Sequence, residues 1–461
     1  MYHIIYQKYF YVFIDDDRFF LLKENNFFLI FYLANCLVLY LDSHYLFPFI
    51  FIFISITTVS IIFCLSYNWE ELWSFVFYVF IILLVGAIIL IINSIFIFFF
   101  FYEMLLLPSF LILYRFAKTR RAIEASYIMF FWTQFGAMFL FFSFLYLFLV
   151  SNCFLFSDLK ACSFSLFEVN FLLFLWLLGF GVKIPIWPFY AWLPKAHVEA
   201  STNFSIFLSG VLVKFAFFGL LRCIILLGLE STFYYIFIFI FVGLCDSVFK
   251  LFYQLDLKKL IAFSTVVEMH WLIICLLTGQ LFLYYAVFSM IISHAILSSN
   301  SFLLVDAISR RFHTRLINEM QGLFFLLPNL YSSTYANCIF FLGFPGTIFF
   351  IAELLFFSFS IDLFPILGFL LYFLLYFIMP ILFFKAWMNV LFSFSRYSNW
   401  FQLLDLEQAE LVLFMFLYTL LFLFGLGSSM LINSLLIGLF VLNSLNPFNL
   451  ISNISAIIYL V

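Results

Sequence analysis

Five ionisable side chains stand in stretches otherwise fit only for lipid: Glu103 in FFFFYEMLLLP, Lys183 closing FLLFLWLLGFGVK, Lys214 in LSGVLVKFAFFG, His294 in SMIISHAILSSNSF and Glu353 in FLGFPGTIFFIAELLFF. A charge near the bilayer centre costs ~2.5 kcal/mol or more, so each such residue points to a function. Glu103 falls at the middle of a helix over 94–114, too short to reach either interface. Lys183 is followed by Pro185, Pro188 and Pro194, a spacing that breaks a helix. Broken backbone at membrane depth is tolerated only beside protein or water. Lys214 lies about 16 Å into its helix at ~1.5 Å per residue, near the midplane. Around His294, six polar side chains interrupt the apolar run, and serines bonding back to the preceding turn are expected to loosen the helix there. Glu353 follows Gly343, Pro345 and Gly346, again pairing a helix break with a carboxyl group.

Carboxylate, amine and imidazole are groups that take up and release protons. An opposite charge ~7 Å away contributes about 2.4 kcal/mol at an effective dielectric of 20, enough to decide which neighbour holds the proton. The five therefore read as a proton relay. Plainer uses stay open: a carboxyl kept as a hydrogen-bond donor, a lysine reaching for the interface, a histidine satisfied in a core. Arg222 and Lys250, nearer helix ends, read as interface anchors. The sequence has no P-loop, no G-x-G-x-x-G and no His/Cys cluster. No cofactor or metal is expected in this chain, and whatever drives the protons comes from elsewhere.

The positioning elements follow from composition. The 461 residues are 67% hydrophobic and 9% charged, with 20 basic against 23 acidic side chains, too few to wet a soluble surface. A water-soluble enzyme and a nucleic-acid binder with its basic stripe are both excluded. Eight cysteines without C-x-x-C, mostly in apolar runs, exclude a disulfide scaffold. The 79 phenylalanines are ascribed to nucleotide bias in the coding genome, since any apolar residue serves against lipid.

An all-α polytopic membrane protein with about 13 to 14 transmembrane helices results. Spans are predicted at 27–42 and 46–67, at two helices between 72 and 114 turning near Asn93–Ser94, and at about 125–150, 171–187, 203–228, 231–250, 260–279, 281–305, 321–360, 363–392 and 409–430. The tail over 431–461 is compatible with one more span or a surface-lying segment. Basic residues cluster at 115–121, Lys195, 250–259, 310–315 and Arg396, all on one side, which the positive-inside rule makes cytoplasmic or matrix. The first 26 residues, with Asp15, Asp16 and Asp17, do not resemble a cleaved leader.

In chain order, FYEMLLLPSFLILYRF, GVKIPIWPFYAWLPKAHVEAS, LVKFAFFGLLR, QLDLKKLIAFST, SHAILSS and PGTIFFIAELL resemble the antiporter-like membrane subunits of respiratory complex I, mitochondrial NADH:ubiquinone oxidoreductase. The likeness runs from about 94 to 360 and is closer to the chain 4 type than to chains 5 or 2. It implies two inverted five-helix repeats, here 72–228 and 229–392, after a polar segment (1–26) and N-terminal helices (27–71), and before a C-terminal helix and apolar tail (393–461).

By the same resemblance Glu103 and Lys183 form a pair, Lys214 is the central proton carrier, His294 the bridging histidine and Glu353 the terminal group. NADH, FMN, iron–sulfur clusters and ubiquinone would belong to other subunits. Chains 5 and 2 and lipid would be neighbours, and the place would be the mitochondrial inner membrane, with the gene in the organelle. Three features depart from the family. Tyr190 and Glu268 stand where relatives commonly have histidines, and both are candidate linkers in the relay. The N-terminus also has one helix fewer. A subunit of a multi-subunit cation/proton antiporter and a passive membrane scaffold are the competing functions.

Overall fold

Main-chain groups in hydrocarbon must be satisfied within their own segment, so a chain this poor in polar side chains folds as helices. The computed structural model describes residues 69–117, 119–227, 234–278, 281–363, 365–393 and 404–427. The expected segments 1–26, 27–42 and 46–67, Lys118, Arg396 and the tail over 431–461 lie outside the described residues. Among the described residues the only β-type pairings are two isolated bridges, Ser94 with Leu155 and Asp256 with Leu316.

The first series of helices is α1 (Trp69–Ile91), α2 (Ile95–Met104) running through Leu105 into α3 (Leu106–Arg115), α4 (Arg120–Ser151), α5 (Leu166–Lys183) broken from α6 (Trp192–Glu199), and α7 (Thr202–Phe207) joined by a π turn, Leu208–Leu212, to α8 (Val213–Leu227). The second is α9 (Tyr234–Phe252), α10 (Leu257–Leu277), α11 (Leu281–Phe312), α12 (Pro328–Phe341) broken from α13 (Ile348–Leu363), and α14 (Pro365–Tyr372) joined by a π turn, Phe373–Ile378, to α15 (Met379–Phe392). Helix α16 (Gln408–Leu426) follows. Each series thus has a broken fourth crossing and a π turn in its fifth. Eight helical stretches among the described residues are long and apolar enough to cross a membrane, and shorter apolar helices cover Ile348–Ser358 and Glu410–Leu426.

Ties between loops fix the directions. On one face Thr119 donates to Glu199 at 3.1 Å, Lys258 Nζ to Ala200 O at 2.6 Å, Arg315 Nη1 to Val198 O at 2.7 Å, and Arg311 Nη2 to Glu410 at 2.7 Å. The basic clusters near Arg120, Lys258 and Arg311 therefore share a face, as predicted for them. On the other face Ile95 N–H donates to Phe154 O at 3.0 Å and Phe156 N–H to Asn93 O at 2.8 Å. Helix α1 accordingly runs away from the basic face and α9 toward it, so the two series are inverted.

Caps move several boundaries from their predicted places. Helix α4 starts at Arg120 rather than near 125 because the Thr119 hydroxyl accepts from Ala122 N–H at 3.1 Å. Helix α5 starts at Leu166 under a Ser165/Glu168 capping box. Helix α11 runs on to Phe312, with Arg310 and Arg311 in its last turn, where cations suit the helix dipole. The predicted span 321–360 is a single helical turn, Leu323–Leu326, followed by α12 and α13, which are parted at Gly343–Thr347, where the glycines and Pro345 predict a break.

Candidate functional site

Helix α5 ends at Lys183 because Pro185 has no N–H to continue the ladder. Lys183 Nζ donates to Glu103 Oε1 at 2.7 Å and lies 3.8 Å from the centroid of the Tyr102 ring. The two side chains are only 12% and 17% exposed. The pair expected from the sequence is therefore in direct contact, joining residues 80 apart, and Tyr102 adds a cation–π face that sequence reasoning missed. A cavity lined by Lys183, Tyr102, Ser109, Thr133, Leu208 and Leu212 extends from Lys183 to the π turn that precedes Lys214.

Lys214 is 1% exposed, and its ammonium donates to the carbonyl of Ser209 inside the π turn. The sequence places Lys214 in a regular helix; the wide turn instead turns a main-chain acceptor toward it. Glu268 and His294, from α10 and α11, are both buried and hydrogen-bond directly through Oε2 and Nδ1. Lys214 is close enough to both for their charges to interact, and Glu268 in turn interacts with Glu353. Glu353 stands on α13 just past the break, its Oε2 lying over Gly343, which has φ +71°. The structure thus brings Lys214, Glu268, His294 and Glu353 into one electrostatic neighbourhood.

One expectation is corrected. The region around His294 does not unwind: Ser293, Ser299 and Ser301 bond the carbonyls of Met290, Ile296 and Ser298 at 2.8–2.9 Å, and α11 stays continuous through them. Bonds back to the preceding turn satisfy the hydroxyls without opening the ladder. Of the two candidate linkers, Tyr190 meets Asp246 and Lys250 of α9 through its hydroxyl, and Glu268 is the residue hydrogen-bonded to His294.

Sequence reasoning also missed His197, fully buried and stacked on Phe302 at 4.7 Å, with neither ring nitrogen partnered among the described residues. Its charge environment includes Lys214 and Lys258. His270 was missed too, although it stands two residues after Glu268. Among the described residues no group of three or more His, Cys, Asp or Glu could hold a metal.

The family model described as "NADH:quinone oxidoreductase/Mrp antiporter, TM" matches residues 92–379. NADH-ubiquinone oxidoreductase chain 4 of Paramecium tetraurelia is 34% identical over 309 residues, covering 67% of this chain and 65% of that one. The chain spans between about half and two thirds of the length of the curated relatives it matches. Two solved structures share the fold. One is from the Mrp complex of a Dietzia species, with TM-score 0.74 and 16% identity over 87% of this chain and 84% of that chain. The other is from Thermus thermophilus respiratory complex I with bound aureothin, with TM-score 0.72 and 15% identity over 88% and 91%.

Proposed function

Because the chain belongs to the NADH:quinone oxidoreductase/Mrp antiporter transmembrane family, we propose that it is a proton-translocating membrane subunit of respiratory complex I, driven by quinone reduction in other subunits. The observation that carries this reading is the chain of buried ionisable groups: the Glu103–Lys183 ion pair, then Lys214, then the Glu268–His294 hydrogen bond, then Glu353. Its members come from both inverted series; from Lys214 to Glu353 neighbours are close enough to bias each other's proton, and the cavity joins Lys183 to the turn before Lys214.

Each step has a defined chemical part. Glu103 holds Lys183 charged or receives its proton, and the outcome sets the potential felt along the cavity toward Lys214. Lys214 passes a proton toward Glu268, which exchanges it with His294 through their shared hydrogen bond. Glu353 is the terminal acceptor. Glu103 Oε2, Glu268 Oε1, His294 Nε2 and Glu353 Oε2 are buried without a partner among the described residues. Burying such atoms unpaired is costly, so water joins the members that do not touch. NADH, FMN, iron–sulfur clusters and ubiquinone would lie in other subunits, and no step here runs through them. Neighbours would be the antiporter-like chains 5 and 2, in the mitochondrial inner membrane, the gene lying in the organelle.

The test is Lys214→Met and Glu103→Gln in the assembled complex, reading NADH-driven quinone reduction and proton uptake together. The expected outcome is an assembled complex with uncoupled or lost turnover. Normal pumping with normal quinone reduction in both variants would refute the relay; poor assembly with unchanged proton-to-electron ratio would favour a scaffold. The likeness to the Mrp structure supports a second reading, a subunit of a multi-subunit cation/proton antiporter. Co-purification with flavin and iron–sulfur subunits separates the two.

A further inference from the structure

A second cluster of titratable groups stands apart from the line between Glu103 and Glu353. Lys250 Nζ donates to the Tyr190 hydroxyl oxygen at 2.5 Å and to Asp246 Oδ2 at 2.8 Å, while the Tyr190 hydroxyl donates to the same Asp246 oxygen. The cluster is graded in exposure: the Lys250 side chain is 50% exposed, Asp246 31%, and Tyr190 is buried. Lys250 sits two residues from the end of α9 at the basic face, and Asp246 about one turn, ~6 Å, deeper.

The next titratable group inward is His270 of α10. Its ring centroid is 6.2 Å from that of Tyr190, and its Nε2 packs against Gly243, one turn from Asp246 on α9. His270 Nε2 accepts the Trp187 N–H at 2.9 Å, inside the break four residues past Lys183. From α15, the Lys385 ammonium lies 5.3 Å from the centroid of the Phe252 ring, two residues past Lys250.

We propose that Asp246, Lys250 and Tyr190 form a proton-exchange site that connects the basic face to the α5–α6 break beside Lys183. In one concerted step a Lys250 N–H proton passes to the Tyr190 oxygen as the Tyr190 proton passes to Asp246. One N–H and one O–H bond break; one O–H bond forms on Tyr190 and one on Asp246. Ammonium and carboxylate become amine and carboxylic acid, and the tyrosine ends as a phenol. Tyr190 therefore relays without ionising, which removes the objection that its ordinary pKa of ~10 raises. Water at the basic face reprotonates the Lys250 amine. The Asp246 O–H bond then breaks as an N–H bond forms on His270 Nε2, restoring the carboxylate; the ring lone pair is used, so the Trp187 N–H loses its acceptor and the arrival of the charge is felt at the break itself.

The inference rests on the relay proposed above, and the experiment separates the two. Tyr190→Phe, which removes only the bridging hydroxyl, and Asp246→Leu/Lys250→Leu, which replaces an ion pair by apolar neighbours, are compared with Lys214→Met in the assembled complex in sealed vesicles. Substituting an ion pair by packed apolar side chains is often neutral for stability. A merely structural cluster therefore predicts normal pumping. The expected result is a roughly tenfold or greater loss of coupled pumping in both variants, positioned proton transfer being worth ~10²–10⁴-fold, with pumping retained in Tyr190→His, which also accepts and donates in one step. Wild-type pumping in both variants while Lys214→Met fails to pump would overturn this site alone. Wild-type pumping in Lys214→Met would overturn the relay itself.

Discussion

Gly343→Ala tests the position of the terminal carboxyl without changing any ionisable group. The backbone there has φ +71°, and an added Cβ would lie 2.2 Å from Glu353 Oε2 and 3.3 Å from its carboxyl carbon. Real Cβ contacts do not fall below 3.0 Å, so the oxygen must retreat by at least 3.0 − 2.2 = 0.8 Å. The atom that yields is the far end of a flexible side chain, which costs little. The left-handed backbone costs alanine about 1–2 kcal/mol more than glycine. The complex should therefore still assemble, while misplacing a reacting group by about 1 Å can cost on the order of 10²-fold in rate. The assay is a native gel for assembly, then dye-quench measurement of NADH-driven acidification beside quinone reduction, with Glu353→Gln as reference. Gly343→Ala should resemble Glu353→Gln in pumping and the wild type in assembly. Wild-type pumping from an assembled Gly343→Ala complex would refute the assignment of Glu353 as a position-sensitive carrier.

Glu268→Gln keeps a hydrogen-bond partner for His294 but cannot carry a proton, so pumping should fall at least roughly tenfold; Glu268→His, able to carry one, should restore it in the same vesicle assay. Asp405 accepts from the N–H groups of Asn329 and Leu330 at 2.8 and 3.1 Å, capping α12 from outside; Asp405→Ala should lower stability by about 0.5–2 kcal/mol, read as an earlier melting transition of the purified complex. A Cβ at Gly425 would lie 2.1 Å from the backbone oxygen of Gly346. Because backbone cannot yield as a side chain can, Gly425→Ala should displace α16 from the α12–α13 break and reduce the assembled complex on a native gel.

Glu103, Lys183, Lys214 and Glu353 were legible in the sequence for one reason: each interrupts a long uncharged run, and depth along a helix can be counted from its ends. The prolines after Lys183 and the Gly343–Gly346 cluster marked the two broken crossings. What could not be read was which groups meet across helices. Apolar residues surround most of these helices, leaving no stripe to show which face turns inward. Lys250 therefore read as an interface anchor, Asp246 was not singled out, and nothing in the sequence joined Tyr190 to either of them across α9. The π turns left no mark either, since LSGVL and FLLYFI are as suited to a regular turn. The serines near His294 misled because their hydroxyls have two uses, and only coordinates reveal that they bond back to their own helix.

The degree to which α11 is enclosed has a consequence for how the chain enters the membrane. Within its spanning window α11 is 94% buried and α10 is fully buried, against 39% for α1 and α4. Helix α11 also has the lowest mean hydropathy of the eight spans, 1.5, because it carries His294, Asn300, Asp306 and several serines. During synthesis it leaves the ribosome before α12, α13 and α16, the helices that later cover it. Its insertion must then lean on α7 and α10, already in place, and on Glu268 in particular. A defect in α10 would thus appear first as failed insertion of its neighbour, in the nascent chain rather than in the folded protein.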